Sequence, residues 1–213
     1  MNQNQHILNN METFIQETML EDTSICDKLI EYHKNNLEYK KAGKTTGNNI
    51  KIKGKVSTDV TVFIGNQNPI IHMYLQEVMK AVHTYVETYK LNDLGFSVTL
   101  REAFNIQHYA PNEGFLGWHC ERSQTQTNQR ALVFMTYLND VTDGGETEYY
   151  FQKLKVKPVK GKMVVWPTDF THLHRGITSP TQEKYIATGW YNFWSEVELH
   201  LQQQHLQQII NKK

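Results

Sequence analysis

Between Tyr109 and Trp190 lie Trp118-His119-Cys120-Glu121, then His174-Arg175-Gly176, then Lys184 ten positions beyond that second histidine. Residues at i and i+2 of a strand point to one face. His119 and Glu121 can therefore offer an imidazole nitrogen and a carboxylate oxygen to one divalent cation. A third ligand has to come from elsewhere, and His174 is the candidate. Two histidines and one carboxylate form a facial set that leaves metal positions open.

Working outward, the residues around these ligands alternate as strands do. From Ser97 to Tyr109, Val98, Leu100, Phe104 and Ile106 fall on one face, and Thr99, Arg101, Asn105, Gln107 and Tyr109 on the other. This predicts a half-buried strand with Tyr109 on its polar face. Ala110 to Gly114 reads as a turn, and Phe115 to Glu121 as an extended segment carrying two ligands. Ala131 to Leu138 is a continuous apolar run, expected of a strand covered on both faces. Asp143-Gly144-Gly145 turns the chain into a strand from Glu146 to Phe151. Lys153, Lys155 and Lys157 alternate with Leu154, Val156 and Pro158 as the wet face of a further strand. Met163 to Trp166, His172 to Ile177 and Lys184 to Phe193 complete the set, the last two separated by a turn at Thr178 to Thr181. On the last strand Lys184, Ile186, Thr188 and Trp190 share one face.

Helical spacing dominates the first half. Ile70, Ile71, Tyr74, Leu75, Val78, Met79, Val82, Tyr85 and Val86 recur at i, i+3, i+4 and predict an amphipathic helix from Pro69 to Tyr89. Phe14 to Leu37 has partly helical spacing and reads as two helices or one broken one, with Asp22 or Thr23 as a cap. Residues 40–55 hold six lysines, three glycines and no acid. That composition describes a solvated loop, or a lid beside the site. Glu196 to Ile210 reads as a helix that packs on the domain or on another copy of the chain. The expected fold is α+β but mainly β: a jelly roll of about seven or eight strands with helices on one outer face. One domain is expected, with helical support and a loop in 1–93, the jelly-roll core in 94–195 and a helix in 196–213.

The 213 residues carry 22 basic and 22 acidic side chains, giving zero formal charge. Nothing in this balance favours a nucleic-acid or membrane surface. No basic and then apolar leader opens the chain, and no apolar run is long enough to span a bilayer. Cys26 and Cys120 are not expected to pair, which fits a reducing cytoplasm.

The ordered set Tyr109, His119-x-Glu121, Gly144-Gly145-Glu146-Thr147, His174, Lys184 and Trp190 resembles the iron(II)- and 2-oxoglutarate-dependent dioxygenases, in particular their prolyl 4-hydroxylase-like branch. The resemblance covers about Phe96 to Phe193, and the helix around Ile25 to Tyr32 is similar to the helical start of that branch. It implies Fe(II) on His119, Glu121 and His174, with 2-oxoglutarate and O2 at the open positions. It also implies Lys184 against the keto acid's far carboxylate, Trp190 as a wall, Tyr109 and Thr147 as polar contacts and Arg130 facing substrate. Burying that carboxylate unpaired would cost several kcal/mol, so a cation is required there. The implied activity is hydroxylation of a peptide or protein side chain, with proline among the candidates, releasing succinate and carbon dioxide.

One departure stands out. The family usually has His-x-Asp, and glutamate is one methylene longer, moving the oxygen by up to ~1.5 Å. A jelly roll that binds metal or ligand without turnover is therefore the alternative. Nucleic-acid demethylation and zinc hydrolysis have less to recommend them, given the balanced charge and the placement of Lys184. Of the ten histidines, His172 shares strand parity with His174 and competes as third ligand. His174 is preferred for its spacing to Lys184 and for the glycine that follows. Trp118 and Trp166 are expected in the core.

Overall fold

A computed structural model describes residues 12–36, 40–42 and 54–194. Eleven strands are found among them: β1 (Gln16–Met19), β2 (Lys40–Ala42), β3 (Thr58–Val62), β4 (Val98–Leu100), β5 (Phe104–Tyr109), β6 (Arg130–Tyr137), β7 (Thr147–Tyr149), β8 (Leu154–Val156), β9 (Lys162–Pro167), β10 (His174–Gly176) and β11 (Lys184–Phe193). Two α-helices accompany them, α1 (Ser24–Asn35) and α2 (Pro69–Thr88). The large sheet runs β1-β9-β6-β11-β5-β3-β2 with β4 also on β11, and a small sheet runs β10-β7-β8. All the pairings are antiparallel. The architecture is a double-stranded β-helix, with the helices on the outside of the large sheet.

Alternation along β6 explains why the sheet has two cores. Leu132 and Phe134 face α1 and α2, joining Ile25, Leu29, Tyr74, Val78 and Tyr85 in the outer core. Val133, Met135 and Tyr137 face inward with Tyr149, Val164 and Trp166. Each fully buried aliphatic or aromatic side chain contributes roughly 1.5–3 kcal/mol of transfer free energy. The expectation of a strand covered on both faces is met residue by residue. Helix α2 starts where Asn68 Oδ1 accepts from the Ile70 N–H at 3.0 Å, with Pro69 opening the first turn. It lies on the sheet through its buried stripe, where Gly189 leaves room for aromatic packing. A Cβ at Gly189 would stand 2.5 Å from Phe134 Cζ and 2.7 Å from Phe104 Cβ.

The N-terminal third corrects the sequence reading. Phe14 to Leu37, read as two helices or one broken one, gives a strand and one helix among its described residues: 16–19 pair with Lys162–Val165 as an edge strand, and 24–35 are helical. Strand β3 also joins the large sheet, against β5. The 97–109 segment is broken into β4 and β5, both held by β11. Phe115 to Glu121 is extended but lies outside the named strands, held by the isolated bridges of Lys55 with Phe115 and His119 with His174 and by the Glu121 N–H donating to the Thr168 carbonyl at 3.0 Å. Most of the lysine-rich loop, and the C-terminal helix expected in 196–213, lie outside the described residues.

Candidate metal and cosubstrate site

The sheets enclose a cavity of about 1110 Å³, lined among others by Tyr109, His119, Glu121, Arg130, Thr147, His174, Lys184 and Trp190. Every site residue named from the sequence therefore reaches one space.

His119 and His174 meet because their backbones pair. Each N–H donates to the other's carbonyl, at 3.0 and 2.9 Å. Their Nε2 atoms each stand 3.5 Å from Glu121 Oε1, and the three residues offer ligand atoms that all lie within 4.8 Å of one another. A cation with bonds of roughly 2.1 Å places cis ligands about 3 Å apart, so this set closes on a metal with little movement.

The tautomers are fixed from behind. His119 Nδ1 lies 2.9 Å from the Gly117 carbonyl and His174 Nδ1 lies 2.9 Å from the His172 carbonyl. A carbonyl only accepts, so each Nδ1 carries the proton and each Nε2 keeps its lone pair for a metal. Burial pushes the His119 pKa down, with the charge of His174 adding to the effect, which keeps the imidazole neutral near pH 7. Burial works to raise the Glu121 pKa, but a proton on either facing imidazole Nε2, or a cation in its place, outweighs this and holds the carboxyl well below the usual range. The residues present fit a divalent metal.

His172 is not the third ligand. It closes a 3-10 turn over Phe170–His172. Its ring is spanned by Thr171 Oγ1 and the Thr13 carbonyl, each at 3.0 Å. Parity alone could not separate it from His174; the turn does.

The far end of the cavity is built around Lys184, which is only 5% exposed. Its Nζ donates to the Gly145 carbonyl at 3.1 Å and sits 5.0 Å from the centre of the Tyr109 ring. No carboxylate lies within ion-pair distance of it among the described residues. Burial lowers its pKa to about 8. Gly144 holds this turn with φ +124°, and a Cβ there would lie 2.4 Å from the Thr178 carbonyl oxygen. Gly176 leaves the opposite side open, its would-be Cβ 3.6 Å from Lys184 Nζ. A buried ammonium facing one carbonyl and a void is complementary to an anion.

Other side chains have partners that the sequence reading missed. The Tyr109 hydroxyl donates to Gln107 Oε1 at 2.7 Å. Gln107 approaches Asp59 at 3.4 Å, and Asp59 is paired with Lys55. Thr147 Oγ1 accepts from the Tyr137 hydroxyl at 2.6 Å. Trp190 stands at the metal end, its Nε1 donating to Glu121 Oε2 at 3.0 Å. Arg130 stacks 3.5 Å from the centre of the Trp190 ring and is bound by Glu102. Gln107 was legible, since it shares the odd-numbered face of β5 with Tyr109; Asp59 and Glu102 gave no signal. Trp118 is half-buried at the cavity wall beneath Arg175, at 4.5 Å, and not in the core as expected. Trp166 is buried as expected, lines the cavity, and leaves its Nε1–H without a partner among the described residues.

Comparison with known proteins agrees with this geometry. Residues 104–192 match the family described as the 2OG-Fe(II) oxygenase superfamily. The chain is 32% identical over 115 residues to a probable prolyl 4-hydroxylase 9 of Arabidopsis thaliana, an alignment spanning 42% of this chain and only 40% of that protein's length. The fold matches a Trichoplax adhaerens prolyl hydroxylase, solved with a hypoxia inducible factor peptide fragment, at a TM-score of 0.67 and 14% identity, covering 89% of this chain and 90% of the other. A Pseudomonas putida prolyl-4-hydroxylase matches at 0.64 and 16% identity, covering 89% and 98%.

Proposed function

We propose that the protein is an Fe(II)- and 2-oxoglutarate-dependent dioxygenase that hydroxylates a side chain of a peptide or protein, proline being the first candidate. The observation that carries this is the pairing, within one cavity, of a two-histidine, one-glutamate cluster with a buried lysine that has no counter-ion among the described residues. His119, Glu121 and His174 would hold the metal, which supplies a site where the keto acid and O2 meet at adjacent positions. Lys184 would bind the far carboxylate of 2-oxoglutarate, flanked by Tyr109 and Thr147. The charged Lys184 and the apolar wall of Met135 and Ile186 orient the keto acid and keep water from it.

At about 1110 Å³ the cavity exceeds the range typical of small-molecule sites, which leaves room for a substrate side chain. A peptide substrate is further supported by the Trichoplax relative, and a role as a non-catalytic binding module is not favoured by these relatives. A reducing, cytoplasmic setting belongs to the same proposal and is supported by the free thiols of Cys26 and Cys120. The activity is tested by incubating the protein in air with Fe(II), 2-oxoglutarate and a proline-containing peptide library. Succinate should form, and a peptide should gain the mass of one oxygen atom. Absence of succinate with every peptide, alongside normal metal loading, contradicts the proposal.

A further inference from the structure

Glu121 has two oxygens with different surroundings. Oε1 faces both imidazole Nε2 atoms at 3.5 Å, while Oε2 accepts from the Trp190 indole N–H at 3.0 Å and lies 3.5 Å from Arg130 Nη1. Behind the indole, Arg130 is itself fixed. It stacks on the Trp190 ring, donates to Glu102 through Nε and Nη2, and reaches the Glu121 carbonyl at 3.4 Å. Glu102 is braced in turn by Asn192 Nδ2 at 2.7 Å.

We propose that Trp190 and Arg130 are positioning residues that take up the extra methylene of Glu121 and restrict it to one metal-binding oxygen. The inference rests on the proposed metal and keto acid site. A carboxylate with both oxygens free can chelate, and a second bond would occupy one of the positions the keto acid and O2 require. An indole N–H on Oε2 removes that option, and the stacked guanidinium keeps the indole in place. A hydrogen bond to a charged acceptor is among the stronger kinds, and such outer partners typically influence metal-site properties 10–100-fold. Trp190 thus acts on the cosubstrate through Glu121 and does not serve only as a wall.

The test uses the full chain loaded with Co(II), whose visible bands respond to coordination number. Trp190→Phe removes the donor and keeps the ring. It should alter the Co(II) spectrum recorded without 2-oxoglutarate, at Co(II) concentrations that saturate the site, and weaken 2-oxoglutarate binding about tenfold. In a Glu121→Asp background the shorter carboxylate does not span both metal and indole, and Trp190→Phe should then change 2-oxoglutarate affinity by less than about twofold, below what loss of a charge-assisted bond produces. Should Trp190→Phe fail to fold, Glu102→Gln loosens Arg130 instead and should shift the spectrum in the same direction. An unchanged Co(II) spectrum overturns the clamp, as does an equal loss of 2-oxoglutarate affinity in both backgrounds. Failure of the unaltered protein to bind 2-oxoglutarate would instead overturn the functional reading, and the metal-only spectrum still decides the clamp.

Discussion

At the metal end of the cavity each ligand side chain is held by a partner of its own, whereas at the other end the Lys184 ammonium has one carbonyl and, among the described residues, no counter-ion. His119 and His174 are each anchored through Nδ1, and Glu121 is fixed at one oxygen by Trp190. Lys184 is as deeply buried as His174, yet its ammonium faces a single carbonyl. Preorganisation explains the first arrangement: a metal ligand has to be aimed before the ion arrives. The second is a standing cost to the folded chain, tolerated because a bound anion relieves it. The contrast separates stability from function, and each prediction below sharpens or breaks it.

The largest effect should come from Lys184→Met, which retains the length and removes the charge. Loss of a buried cation from an ion pair is expected to weaken 2-oxoglutarate binding roughly 100-fold or more, measured by calorimetry on the metal-loaded protein. The same change should raise the melting midpoint of the ligand-free protein, by about 2–4 °C for each kcal/mol of relieved desolvation. A variant that loses both affinity and stability would break the comparison, because Lys184 would then be an ordinary structural residue.

A smaller effect, graded with pH, should accompany the depressed pKa of Lys184. Burial sets it at about 8, against an ordinary 10.5. The ammonium is therefore intact below pH 8 and lost as the pH rises through it, so 2-oxoglutarate affinity should be level at lower pH and fall above about 8. The stability linkage has the opposite sign. Below pH 8 the folded chain bears the full cost of a buried charge, and between 8 and 10.5 the unfolded chain retains a proton the folded one has released, so this contribution improves with rising pH. Titrating affinity and melting midpoint together should show the two trends diverge, and both should vanish in Lys184→Met.

How much of this was legible in the sequence follows the same division. The ligand pair His119 and Glu121 could be read from i, i+2 spacing, and the common face of Lys184, Ile186, Thr188 and Trp190 from strand parity, because both are local and periodic. The two-sided burial of Ala131 to Leu138 was legible for the same reason. β1 was not: four residues on a sheet edge give too short an alternation, and its identity depends on pairing with Lys162–Val165, far along the chain. The hydrogen bond from Trp190 to Glu121 spans 69 positions, and no spacing rule connects them. The resemblance placed Trp190 in the site, but only geometry shows that its N–H meets the carboxylate. His172 was ambiguous because parity assumes a continuous strand, and the 3-10 turn at 170–172 breaks that assumption.

Whether the two ends form one functional pocket is decided most directly by anaerobic titration of 2-oxoglutarate into the Fe(II)-loaded protein, followed by visible absorption. The keto acid has to reach the metal with one end and Lys184 with the other. A weak charge-transfer band should grow to saturation at one equivalent, and be absent from His174→Ala and displaced to far higher concentration in Lys184→Met. A metal-loaded protein that shows no band at any 2-oxoglutarate concentration, or one whose band is indifferent to Lys184, would contradict the account.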